Sequence, residues 1–193
     1  MGKLYGTRTY LVGAMDRVPD VGAGWRDSIT PHLHELGTIV YNPCSKPIDN
    51  PEVLEDSGTI EEINQLKQDG EFDLIRSKYK SIRNVDLRMV DTSDYLVANI
   101  DTEVHACGTY EEITTANRQK KPILVHCEQG KVGVPNWLLY MIPHEHIFST
   151  WQEVLVYLER INQGWNDNTG RWVFFNIEEE LKAIELHKEG ITC

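Results

Sequence analysis

The chain has 193 residues, 40% of them apolar, and a formal net charge of -11. That length and composition fit one domain with a real hydrophobic core and exclude a disordered chain. The negative balance argues against a broad phosphate-tracking surface, so duplex nucleic acid is a poor partner, although one helix N-terminus or one arginine can still hold a small anion.

In chain order, Thr9-Tyr10-Leu11-Val12-Gly13-Ala14 reads as a buried strand running into a tight loop. Trp25, Ile29, Leu33 and Leu36 have helical spacing, with Gly37 as the stop; Pro31 inside the stretch predicts a kink or the true helix start. Residues 38–41 form a second strand closed by Asn42-Pro43, and the proline- and aspartate-rich 44–58 reads as a loop. Helices are expected over 59–80, broken near Asp69-Gly70, and separately over 82–90. Residues 95–100 are a buried strand, 110–119 a helix and 122–125 the next strand. A short strand near His146-Ile147-Phe148 leads into a helix over 150–161; a C-terminal extension over 164–193 holds Trp165, Trp172 and a helix over 178–188.

This alternation predicts a single α/β domain: a Rossmann-like, flavodoxin-like parallel sheet with helices on both faces. Ligands of such sheets sit beyond the carboxyl ends of the strands, so the loops after Gly13, Ile100 and Val125 are expected to line one crevice. The four cysteines form no CxxC pair. With no run of the roughly 20 apolar residues that a membrane span needs and no signal-peptide pattern at the N-terminus, the chain reads as a reduced cytoplasmic protein.

Three segments could carry chemistry. In Gly108-Thr109-Tyr110-Glu111-Glu112, Gly108 permits close backbone approach, Thr109 is a natural N-cap, and Glu112 falls in the first helical turn as an ionised carboxylate. The same Thr-x-x-Glu spacing also makes a plain capping box. Asp86, Asp91 and Asp94 precede the 95–100 strand; one of them near Glu112 would give two carboxylates with divergent pKa values, suited to nucleophile and acid/base roles. The strand end at Tyr10 and Gly13 could admit a sugar or phosphate, though a GxGxxG fingerprint is missing.

Taken in order, Tyr10-x-x-Gly13-Ala14, Gly24-Trp25-Arg26, Val85 to Asp94, Gly108-Thr109-x-x-Glu112-Ile113 with Ala116, and Lys121-Pro122 resemble the nucleoside 2-deoxyribosyltransferase-like family over roughly residues 8–160. The resemblance implies cleavage of the N-glycosidic bond of a 2′-deoxynucleoside or its monophosphate through a covalent deoxyribosyl-enzyme, with transfer to another base or to water. It places Glu112 as nucleophile, Asp86 as the group handling the base's proton or positioning the sugar, and Tyr10 beside both. Gly13, Ala14, Asp16, Arg17, Trp25, Gly108 and Thr109 become candidate substrate contacts, while Glu111 should point elsewhere. No cofactor or metal is implied; the partners implied are a nucleoside or nucleotide and a free nucleobase, with no membrane and a homodimer or larger homo-oligomer.

Family hydrolases acting on monophosphates carry a serine where this chain has Ala106, and an arginine where it has Asp16 beside Arg17. Both departures favour free nucleosides. The long stretch from Cys44 to Arg83 is expected to be a lid or an oligomer contact. A phosphoribohydrolase of the cytokinin-activating type shares Gly-Thr-x-x-Glu but needs a Pro-Gly-Gly run that Val104-His105-Ala106-Cys107 lacks. A non-catalytic nucleotide-binding module is the third alternative. His144 and His146, on one face of an expected strand, lack a third metal ligand. Trp151, Trp165 and Trp172 could stack on a base, although Trp151 begins an amphipathic helix and reads as core, and Glu178-Glu179-Glu180 reads as a solvated helix face.

Overall fold

Five parallel strands lie in the order β2-β1-β3-β4-β5, with β1 at Arg8–Gly13, β2 at Ile39–Tyr41, β3 at Tyr95–Ile100, β4 at Ile123–Cys127 and β5 at Ile147–Phe148. The computed structural model describes residues 2–48, 53, 54 and 56–177. Val and Ile runs without polar alternation suit strands covered on both sides, and every residue of β1 after Arg8 is buried. Strand order reverses between β1 and β3, the switch point at which open α/β sheets bind ligands. There Gly13 pairs with Asn99.

Side chains alternate across β1, so Tyr10 and Val12 join one core layer and Leu11 the other. The first layer packs under α3 (Phe72–Thr92) and α4 (Cys107–Arg118) through Met89, Val90, Ile113 and Ala116. The second packs under α1 (Ala23–Glu35) and α6 (Trp151–Asn162) through Ile29, Leu33, Val154 and Leu158. Thr150 and Glu153 cap α6 with a reciprocal capping box. A short α5 (Asn136–Met141) completes the first face.

Several expectations need correcting. Helix α1 begins at Ala23 and runs through Pro31, so the proline does not mark its start. Residues 72–92 form one helix, where two had been expected; α2 (Ser57–Asp69) ends at Gly70, which takes the left-handed conformation. His144–His146 is a single 3-10 turn, so no strand face presents the two histidines together. The helix expected over 178–188, and Glu178 to Glu180 with it, lie outside the described residues.

Behind β5, His146 and Asp167 are buried against each other at 2.6 Å. Tyr157 donates to the same carboxylate, and Trp172 donates to the Tyr157 hydroxyl at 2.9 Å. Trp172 belongs to the second core layer, so this network fastens residues 164–177 to the sheet. Burial pushes the His146 pKa below the ordinary imidazole value. Burial pushes Asp167 up, but hydrogen bonds from Tyr157, His146 and Thr169 outweigh it and hold the carboxyl low. Both groups therefore bind fewer protons folded than unfolded. Their stabilisation is complete above pH about 6.5 and drains as pH falls, first through His146 and then, below pH about 4, through Asp167. His126 is depressed by burial too and adds the same sign. The urea midpoint should fall between pH 7.5 and 5.5, and His146→Gln should flatten that slope; an unchanged slope in the variant would remove His146 as its source.

Candidate active site

A cavity of about 670 Å³ opens at the carboxyl ends of β1 and β3. Its wall holds Tyr10 and Gly13 of β1, Ala14 to Arg17 of the next loop, Arg26 of α1, Asp86 of α3, and Gly108, Thr109 and Glu112 of α4. This volume lies within the usual range for small-molecule sites.

The Tyr10 hydroxyl donates to Glu112 Oε1 at 2.9 Å. β1 delivers the tyrosine to the face beneath α4, where the buried Ile113 and Ala116 anchor the helix and turn half-buried Glu112 toward it. Burial, then the charges of Glu112 and Asp86, push the phenol pKa well above its ordinary value. Tyr10 therefore remains a proton-bearing donor that orients the carboxylate.

Asp86 lies on the inward stripe of α3 with Ile82, Met89 and Val90, an acid on an otherwise apolar face. Burial pushes its pKa above the ordinary aspartate value, against the opposing pull of Lys46, Arg26 and Tyr10. Asp91 and Asp94 stand apart from it: Asp91 accepts from Gln119, and Asp94 accepts from the Arg8 amide. The cavity thus brings Tyr10, Asp86 and Glu112 together.

The buried Arg26 shapes the first loop. Its guanidinium donates to the carbonyls of Gly22 at 2.7 Å, Gly13 at 3.0 Å and Leu11 at 3.3 Å. Gly22 has φ 72°, and a Cβ there would come within 2.3 Å of Arg26 Nη1, so the turn needs glycine. A Cβ on Gly13 would meet Trp25 Cζ2 at 2.9 Å. The close approach at Gly13 is thus already taken by a side chain of α1.

Three expectations about the site change. Thr109 is not an N-cap: α4 starts two residues earlier, its N-cap is Ala106 with no side-chain cap bond, and Thr109 is a buried residue of the first turn. Glu112 consequently lies in the second turn, where the helix-end field is weaker. Trp25 stands outside the cavity wall, stacked on Trp151 with centroids 5.1 Å apart. The loop after β4 does not line the cavity either, because Glu128 and Gln129 pair with Asn99 and Asp101. That side is formed by Pro43 and by Ile63, Tyr79, Ile82, Arg83 and Leu87 of α2 and α3, within or beside the long 44–83 stretch.

Sequence reasoning gave no site role to Arg26 or Lys46. The first left a signal, an arginine on the buried stripe it shares with Ile29 and Leu33. Lys46 left none. Its side chain is fully buried, and its ammonium sits 2.7 Å from Asp86 Oδ1. The contact lacks the alignment of a directed hydrogen bond, so it acts mainly through charge.

Glu111 turns to Arg83 and forms an ion pair at the cavity rim. Arg17 is near Asp16, 4.0 Å away. No group of His, Cys, Asp and Glu among the described residues is placed to hold a metal. No described helix is long and apolar enough to cross a membrane.

No protein-family model and no curated protein matches the chain. Among solved structures, a 2-deoxyribosyltransferase from Bacillus psychrosaccharolyticus superposes with TM-score 0.51 at 15% identity, covering 77% of this chain and 90% of that one. A 2-deoxyribosyltransferase from Leishmania mexicana gives TM-score 0.42 at 16% identity, covering 64% and 66%. A conserved protein from Enterococcus faecalis V583 gives 0.40 at 16%, covering 79% and 87%. The fold is therefore nucleoside 2-deoxyribosyltransferase-like, an assignment resting on the Bacillus structure.

Proposed function

We propose that the chain cleaves the N-glycosidic bond of 2′-deoxynucleosides through a deoxyribosyl-Glu112 intermediate and passes the sugar to a second nucleobase or to water. The observation that carries this reading is the Tyr10–Glu112 hydrogen bond on one cavity wall with Asp86. A carboxylate oriented by a buried phenol and flanked by a second carboxyl of raised pKa suits double displacement.

In the first step Glu112 Oε bonds to C1′ as the C1′–N bond breaks. The electron pair leaves on the base nitrogen, which takes a proton from Asp86. In the second, the incoming base nitrogen or water oxygen attacks C1′, Glu112 departs, and Asp86 recovers a proton. Tyr10 holds Glu112 in aim through both steps. A carboxyl with a raised pKa is suited to this alternation.

The 5′ end of the substrate is free hydroxyl in this reading. Each arginine facing the cavity already has company: Arg17 is near Asp16, Arg83 pairs with Glu111, and Arg26 is held by backbone carbonyls. A phosphate arriving there would have to displace those partners and face two acids. The same reading carries self-association into at least a dimer, for which Trp137 and Tyr140, 72% and 75% exposed, offer apolar surface; light scattering checks it.

The test mixes a deoxynucleoside with a different free base and follows exchange by chromatography. Exchange or base release from a free deoxynucleoside, exceeding that from its 5′-monophosphate, is expected. Silence across the common deoxynucleosides would end this reading, and turnover confined to monophosphates would replace the substrate.

A further inference from the structure

The geometry points to Lys46 as a positioning residue of this site: its ammonium, buried behind Asp86, sets the pH at which that carboxyl exchanges its proton. For its kinetic consequence the inference rests on the function proposed above; for the titration of Asp86 it does not.

The loop after β2 carries Lys46 under the cavity, where its side chain has no solvent exposure and Asp86 has little. The cavity wall includes Asp86 but not Lys46, so the lysine reaches the reaction only through the aspartate. An ammonium buried to this degree is costly unless its charge is answered, and an apolar side chain would fill the same space without that cost. The largest pulls on Asp86 toward its charged form come from Lys46 in the loop after β2 and Arg26 of α1, with the Tyr10 phenol of β1 adding a hydrogen bond, while Glu112 of α4 shares its cavity wall as a second carboxylate. Arg26 is committed to three carbonyls. Lys46 is the cation in direct contact.

The proposed cycle needs Asp86 in both protonation states, as a carboxyl when the first base leaves and as a carboxylate when the acceptor attacks. Burial alone drives it toward the neutral form and would leave it protonated through the second step. Lys46 opposes that drift by favouring the carboxylate. A directly placed cation typically lowers an aspartate pKa by about one to three pH units.

The experiment follows the Asp86 carboxyl by ¹³C NMR in protein labelled at aspartate, with Asp86→Asn used to assign the signal. In Lys46→Met the titration is expected to move up by about one to three pH units. Lys46→Arg, which keeps the cation, should hold it near the wild-type position. Steady-state exchange should show its acid limb displaced upward in Lys46→Met and restored in Lys46→Arg. A purely structural lysine would scale the rate without moving either curve. Coincident Asp86 titrations in wild type and Lys46→Met would overturn the inference.

Lys46→Gln serves if the methionine variant does not fold. If neither folds, the ¹⁵N signal of Lys46 Nζ in the wild type takes their place. It must shift at the pH where Asp86 titrates, and a signal flat across that pH overturns the inference. A wild type that releases no base fails the functional reading alone and leaves the titrations to decide this one.

Discussion

Glu112→Gln is expected to fold normally and to lose base exchange, with kcat/KM falling by about 10³-fold or more. The substitution keeps the size of the side chain and an oxygen that can still accept from Tyr10. Packing of α4 rests on Ile113 and Ala116, which remain. What disappears is the anionic oxygen to which the proposed cycle assigns the bond to C1′. A neutral amide is a far weaker nucleophile, Glu111 is turned to Arg83, and burial pushes the neighbouring Asp86 toward its neutral carboxyl form. Tyr10 holds its proton through burial and two neighbouring acids, so it does not become a phenolate substitute. Exchange kinetics together with circular dichroism decide the matter; a folded variant within tenfold of wild type would remove Glu112 from the nucleophile's place.

Arg26→Met should cost about 3–5 kcal/mol of stability, read from urea denaturation. The side chain is fully buried and satisfies carbonyls at the ends of β1 and of the turn that follows. Methionine fills much of the volume but donates nothing, leaving three acceptors to find other partners in a dry setting. It also deletes the cation 4.6 Å from the Trp25 ring. The loop over residues 14–22 should loosen, and KM should rise more than kcat falls. A loss under 1 kcal/mol would show that water reaches those carbonyls and that Arg26 is not what shapes the loop.

The fold was readable because its strands are short apolar runs punctuated by Gly13-Ala14, Asn42-Pro43 and Lys121-Pro122, alternating with helical periodicity. The flavodoxin-like order follows once the sheet is parallel. Failures occurred where the local pattern was ambiguous. Ala106 and Cys107 give no start signal, so Thr109 drew the N-cap that backbone geometry places at Ala106. Helix α3 was expected in two pieces meeting at Ser81, yet it contains no Gly or Pro to end it before Thr92.

The site was legible for a different reason. Tyr10, Asp86 and Glu112 lie on separate elements, and only their order along the chain suggested that they meet. Trp25 was drawn into the pocket by its place after the first loop, but α1 turns it onto Trp151. Lys46 could not have been found: a lysine between Ser45 and Pro47 carries no period or motif, and its role exists only through a contact forty residues away in sequence.

The most direct measurement is intact-mass analysis of the protein quenched during turnover of a deoxynucleoside, followed by peptide mapping. One added 2-deoxyribosyl unit is expected, on Glu112, absent from Glu112→Gln and discharged when a second base is supplied. Base release with no adduct under rapid quench, or an adduct on any other residue, would contradict it.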